Sequence, residues 1–234
     1  MQYHRSKPVR PPVLGALVHS LLLPFAVGLL LIGVAAPAVS ADPAPEILGP
    51  KKTPEDIVEI EAKIAKLEKR TPLTGENYRD QYELGNLYYD VGQLQFAEAR
   101  YRRAIELNPK FTKALVNLGT VLSDQNRLKD AVEQFEAALN LDPEDCKARS
   151  NLGNAYYSQE RYPDAMYQYQ RAIDIDPDCY SAYFNIAVAF ADAGIFREAV
   201  KWWRDVVRIA PGTGAARQAQ ENIDLLKPLV SGKH

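Results

Sequence analysis

Pro109, Pro143, Pro177 and Pro211 stand 34 residues apart. A proline repeated at so strict an interval forces every unit between two of them to break at the same place. Three of the four follow Asn or Asp, as Asn108-Pro109, Asp142-Pro143 and Asp176-Pro177. Proline cannot continue a helix but suits a first helical turn, with Asn or Asp capping just before it. Each proline is therefore expected to close one helix and open the next. Starting the unit at Tyr78, Thr112, Cys146 and Tyr180 brings the remaining columns into register. The eighth position holds Gly85, Gly119, Gly153 and Ala187, and the twentieth Ala97, Ala131, Ala165 and Ala199. Small residues at both places let two antiparallel helices approach closely. The fifteenth holds Gly92, Asn126, Glu160 and Gly194, three of which tolerate the left-handed backbone that turns a chain after a helix. Large apolar residues fill the seventh (Leu84, Leu118, Leu152, Ile186), the eleventh (Tyr88, Leu122, Tyr156, Phe190) and the twenty-fourth (Tyr101, Phe135, Tyr169, Trp203). These spacings are helical faces, so each unit reads as a helical hairpin and the fold class as all-α.

The pattern resembles the tetratricopeptide repeat, in both its period and its columns of small and large residues. The resemblance covers residues 78–211, and the third unit matches most fully, with Asn151-Leu152-Gly153-Asn154-Ala155-Tyr156-Tyr157 and then Ala165, Tyr169, Ala172 and Pro177. The fourth departs, with Ala187 for the glycine and Val206 for an alanine. The resemblance implies a right-handed superhelical solenoid of four hairpins, 78–111, 112–145, 146–179 and 180–213. A segment over 214–227, with Ala216, Ala219, Ile223 and Leu226 on one face, fits a capping helix at the open end. A helix is also expected over 54–70. Thr53 would cap it, Pro54 suits its first position, and Glu55 and Asp56 face its positive end. Its stripe of Ile57, Ile60, Ile64 and Leu67 is expected to dock on the first hairpin.

In this family the first helix of each hairpin lines a concave groove that holds an extended peptide or a partner helix. Carried onto this chain, the groove contains Arg79, Lys113 and Lys147 as a short basic row. Asn117, Asn151 and Asn185, with Asn86 and Asn154, form a ladder of amides able to donate to and accept from a peptide backbone. The same asparagines can serve local hydrogen bonds within the fold. Tyr82, Tyr89, Tyr157 and Phe184 add flat apolar area, and Asp90, Asp124 and Asp192 make one rim acidic. The carboxylate clamp of some members is not expected. Asn86, Asn117 and Lys147 match its places, but Tyr82 and Asn151 replace two of its cations. The implied function is a non-catalytic adaptor for a protein partner. Its alternatives are a self-assembling structural protein of the envelope or an accessory subunit of an envelope enzyme or maturation complex.

Arg5, Lys7 and Arg10 precede an uncharged stretch from Pro11 to Ala41 whose core is apolar, and small residues close it as Val39-Ser40-Ala41. This is the layout of a secretory signal, although Val13 to Ala36 is long enough for a retained anchor. Either form delivers residues 42 onward across the membrane, to a periplasmic or other extracytoplasmic location. Residues 42–53 hold three prolines and a glycine and read as an extended linker.

Composition points away from chemistry. The 28 Lys and Arg nearly balance 30 Asp and Glu, unlike the basic excess of a nucleic-acid binder. The three histidines, His4, His19 and His234, fall in the N-terminal segment and at the last residue, where no catalytic triad or metal cluster can be assembled. There is neither a GxGxxG motif nor a phosphate loop, so no cofactor or metal is expected. Cys146 and Cys179 begin successive hairpins. Equivalent points there lie about one helix-packing distance apart, ~8–10 Å, beyond the reach of a disulfide, so two free thiols are expected. Trp203 belongs to the core column, and Trp202 is expected to pack under the C-terminal cap.

Overall fold

The structure, a computed structural model, describes residues 53–72 and 75–231. The signal or anchor read over 1–41, and all of the linker except Thr53, lie outside the described residues. Ten helices follow one another with no strand among the described residues. They are α1 (Pro54–Arg70), α2 (Tyr78–Asp90), α3 (Leu94–Leu107), α4 (Thr112–Asp124), α5 (Leu128–Leu141), α6 (Cys146–Ser158), α7 (Tyr162–Ile175), α8 (Tyr180–Asp192), α9 (Phe196–Ile209) and α10 (Gly214–Ser231). Helices α2/α3, α4/α5, α6/α7 and α8/α9 pair as four hairpins, each stacked on the next in a solenoid. The first helix of each pair is called A below, the second B.

The close approach within a hairpin has a direct cause. A Cβ on Gly85 would lie 2.5 Å from the Tyr101 ring, and one on Gly119 would lie 2.6 Å from the Phe135 ring. Gly153 meets Tyr169 in the same way. The rings therefore lie flat on a bare backbone, and Leu84, Leu118 and Leu152 close the core beside them. Between A and B the chain reverses through a left-handed residue in every unit, Gly92 (φ 74°), Asn126 (φ 60°), Glu160 (φ 60°) and Gly194 (φ 73°). Glu160 was not expected there. The turn geometry overrides its preference, and the exposed side chain escapes into solvent.

The repeated prolines sit between the helices rather than inside the next one. Asn108, Asp142 and Asp176 cap the C-terminal ends of their helices. Their side-chain oxygens accept from the backbone N–H two residues on, at 3.2, 3.2 and 3.0 Å. The N–H of Phe111, Asp145 and Cys179 closes each turn on the capping carbonyl, at 3.0, 3.4 and 3.0 Å. Proline thus occupies the second place of a β-turn, where its fixed φ is suited, and two residues separate it from the start of each succeeding A helix.

Helix α1 opens with a capping box, Thr53 and Asp56 bonding each other's backbone. It docks on the first hairpin through Ile64 and Leu67, as expected, while Ile57 is more exposed. A polar knot fastens it. Arg100, itself 7% exposed, pairs with Glu68 at 2.6 Å and donates to Gln81 and to the Thr71 carbonyl. Tyr88 donates to the same Glu68 carboxylate at 2.6 Å. At the other end α10 buries Ala215, Ala216, Ala219, Ile223 and Leu226 against the fourth hairpin and continues through Pro228 to Ser231, beyond the expected boundary. Trp203 is fully buried, and Trp202 packs on Tyr183 of its own hairpin with ring centroids 5.6 Å apart.

The expectation of free thiols is overturned. Cys146 and Cys179 are joined by a disulfide with their Cα atoms 6.1 Å apart. The packing distance between helix axes was the wrong measure, because the two residues are not equivalent. Cys146 is the first residue of α6, whereas Cys179 is the N-cap of α8, one residue earlier in its unit. A cap lies off the helix, and this one lies toward the neighbouring A helix.

Candidate functional site

The A helices lie side by side, and contacts between units run between defined positions. Asn117 of α4 donates to Asn86 Oδ1 of α2 at 2.9 Å and to the Tyr82 hydroxyl at 3.2 Å. Tyr101 donates to the same Asn86 oxygen from below, at 2.8 Å. Asn185 of α8 donates to Ser150 Oγ of α6 at 3.0 Å, and Tyr169 donates to Asn154 Oδ1 at 2.8 Å. At the C-terminal ends of the A helices, Tyr89 donates to Asp124 at 2.8 Å and Tyr157 to Asp192 at 2.7 Å. Burial pushes the Tyr89 and Tyr157 hydroxyls well above the usual tyrosine range, and the neighbouring carboxylates push the same way. The Asp124 carboxyl is raised as well, chiefly by burial, with the Tyr89 hydroxyl opposing the shift.

This network divides the twelve residues assigned to the groove. Asn86, Asn117 and Asn154 spend amide oxygens or donors on their neighbours, and Tyr89 and Tyr157 clasp the next unit. Asn185 (6% exposed) and Phe184 (4% exposed) are buried, Phe184 edge-on to Trp203 with centroids 6.2 Å apart. These residues build a rigid floor. The outward surface is narrower. Arg79, Lys113 and Lys147 are exposed at the starts of successive A helices, and Asn151 is half-buried beside them. Lys113, Lys147 and Asn151 make no hydrogen bond or ion pair among the described residues. Tyr82 is half-buried, its ring edge-on to Phe111 at 4.9 Å. Sequence reasoning missed Phe111, which precedes α4 and also meets Tyr78 at 5.1 Å. Its signal was an aromatic just ahead of a unit start, where the other units carry Asn77, Asp145 and Cys179.

Among the described residues no cluster of His, Cys, Asp or Glu could hold a metal ion, and no helix is long and apolar enough to cross a membrane.

Comparison with known proteins places this geometry. A family model described as TPR repeat matches residues 120–160 and 153–194. Two described as Tetratricopeptide repeat match residues 101–133 and 81–111. A crystal structure of MamA is 25% identical, with a TM-score of 0.53, over 66% of this chain and 89% of that one. YrrB, described as a TPR protein with an unusual peptide-binding site, is 22% identical, with a TM-score of 0.51, over 71% of this chain and 86% of that one. A MamA structure from Desulfovibrio magneticus RS-1 is 19% identical, with a TM-score of 0.51, over 68% of this chain and 97% of that one. A search of curated proteins finds no match.

Proposed function

Because the chain belongs to the tetratricopeptide-repeat family, we propose that it is a non-catalytic scaffold that holds an extended segment or a helix of a protein partner on its A face, outside the cytoplasm. One observation carries this reading. The deep side chains of the A face are locked by hydrogen bonds between units, while Arg79, Lys113, Lys147, Asn151 and Tyr82 remain outward on that fixed floor. A surface already ordered loses little entropy on binding, which is what a docking site for a flexible segment requires. YrrB, a protein of similar fold, has a peptide-binding site, which supports a peptide segment as the kind of partner. The basic start and uncharged run before Asp42 support export. The Cys146–Cys179 disulfide supports it too, because such bonds persist in oxidising compartments.

Self-association through α1 is a second reading, and its support is that Ile57 and Val58 are 37% and 65% exposed at the free start of that helix.

The test uses the full chain with a C-terminal affinity tag, cross-linked in intact cells and recovered for mass spectrometry. The triple variant Arg79→Ala/Lys113→Ala/Lys147→Ala should lose the recovered partner with its melting temperature unchanged. Asn117 and Asn154 are unsuitable targets, since removing them opens the floor itself. Undiminished capture by the triple variant would refute the A-face reading, and recovery of the chain alone would favour self-association.

A further inference from the structure

The B helix of the fourth hairpin carries Arg197, Lys201, Arg204 and Arg208. At spacings of four, three and four residues they form one row along α9, opposite the buried Ala199, Trp203 and Val206. All four are exposed. The row spans about 16 Å along the helix. The same four places hold one arginine and one glutamate in the first hairpin, one lysine against two glutamates in the second, and a lone aspartate in the third. These four places therefore turn from neutral or acidic to wholly basic at the last hairpin, with Glu198 and Asp205 beside them.

Folding does not account for this row. Lys201 pairs with Glu198 at 2.6 Å and Arg208 with Asp205 at 2.8 Å, but both are surface contacts of one turn, worth at most a few tenths of a kcal/mol to the helix. Arg197 and Arg204 have no hydrogen bond or ion pair among the described residues. They lie about 10 Å apart, two turns of the same helix. Of the charged groups on the elements packed against α9, Asp192 of α8 is engaged by Tyr157, and Arg217 at the start of α10 adds a further cation. Glu221 and Asp224 follow it on α10.

We propose that this row is a second docking surface, separate from the A face and independent of its assignment, and that its partner is an acidic segment of another protein. Charge complementarity identifies the occupant. Three of the four cations are arginines, whose planar forks match carboxylates two bonds at a time. No apolar side chain stands in the row to serve as a wedge into a bilayer, which favours a protein surface over lipid. A partner helix with carboxylates at spacings of four, three and four residues would match the row through its length, since both helices rise equally per residue.

The test measures binding of the full chain to a fluorescently labelled helical peptide carrying glutamates at those spacings, by anisotropy, against the same peptide with glutamines. The glutamate peptide should bind preferentially, with an affinity that falls as salt is raised. Arg197→Glu/Arg204→Glu should weaken it about tenfold, and Arg197→Gln/Arg204→Gln by less, with circular dichroism unchanged. Lys129→Glu/Arg171→Glu, which reverses two charges on other hairpins, should leave it as tight as before. Equal weakening by both reversed pairs would reduce the effect to net charge and overturn the proposal, as would equal binding of the two peptides. Release of the Arg197→Glu/Arg204→Glu chain from phosphatidylglycerol–phosphatidylcholine vesicles, with peptide affinity intact, would replace the protein partner by a membrane.

Discussion

In the first and third hairpins the ring that presses on the glycine is Tyr101 or Tyr169, whose hydroxyl donates to Asn86 or Asn154. In the second the ring on the glycine is Phe135, in the fourth Ala187 replaces the glycine and Trp203 takes the ring's place, and the facing column holds Thr120 and Val188. The contrast extends outward. Tyr88 and Tyr156 reach back to Glu68 of α1 and Glu136 of α5, while Tyr89 and Tyr157 reach forward to Asp124 and Asp192. The corresponding residues of the even hairpins, Leu122 with Ser123 and Phe190 with Ala191, have no hydroxyl on an aromatic ring to offer. The solenoid is thus built from two alternating kinds of unit, a polar clasp and an apolar block. The second hairpin is clasped from both sides. The fourth receives one tyrosine clasp, from Tyr157, together with the Asn185–Ser150 bond, and is closed by the disulfide and by α10. Cohesion between units is therefore directional even though the backbone repeats.

The alternation can be broken most severely at an apolar block. Trp203→Ala should cost about 3–5 kcal/mol and loosen α10, read as a lower midpoint in urea. Tyr169→Phe, in the neighbouring clasp, should cost only about 1 kcal/mol. Equal costs would show that the two kinds of unit do not differ.

Converting one kind into the other is a sharper manipulation. Phe135→Tyr should cost about 1–3 kcal/mol, because it puts a hydroxyl into a buried apolar site whose facing column holds the short Thr120, bonded to the Val116 carbonyl, in place of an asparagine amide. Adding Thr120→Asn should restore much of that loss, as the pairing of Tyr101 with Asn86 does naturally. A double mutant no more stable than Phe135→Tyr alone would mean that the hydroxyl–amide pair is not the determinant.

Alkali should act on the clasps selectively. Tyr88, Tyr89, Tyr101, Tyr156, Tyr157 and Tyr169 are all raised above the ordinary value of 10.0, with burial the first cause in each. The folded chain keeps protons that the unfolded chain releases near pH 10. Stability from these groups is full below that pH and declines as pH rises from it toward the folded values. Urea midpoints between pH 9 and 11 should fall steeply for the native chain and less for Tyr101→Phe/Tyr169→Phe. Parallel curves would exclude the tyrosines as the cause.

The smallest effect concerns the left-handed turn. Glu160→Gly removes the Cβ conflict at φ 60° and should raise stability by roughly 1 kcal/mol relative to the native residue, whereas Gly92→Ala should lower it.

Much of this architecture was legible in the 34-residue period. The A helices begin at Tyr78, Thr112, Cys146 and Tyr180, because columns of small and large residues fix which faces meet. The alternation was also present, as Tyr88-Tyr89 and Tyr156-Tyr157 stand 68 residues apart, but aligning single units hides a period of two. Three features needed coordinates. The asparagine ladder turns inward because tyrosine hydroxyls beneath it and neighbouring amides are nearer than solvent, a relation between helices that no single column expresses. The cysteines approach because a cap residue leaves the helix cylinder. Arg100 departs from a column otherwise holding Gln134, Gln168 and Trp202, yet only the docking of α1 supplies its partner Glu68.

Hydroxyl-radical footprinting of the full chain, with and without the partner recovered from cells, tests the A-face reading most directly. The expected result is protection of Tyr82 on the A face, with the exposed Tyr167 of the third B helix modified as in the free protein. Unchanged modification of Tyr82 together with protection of Tyr167 would place the partner on the opposite face and contradict the reading.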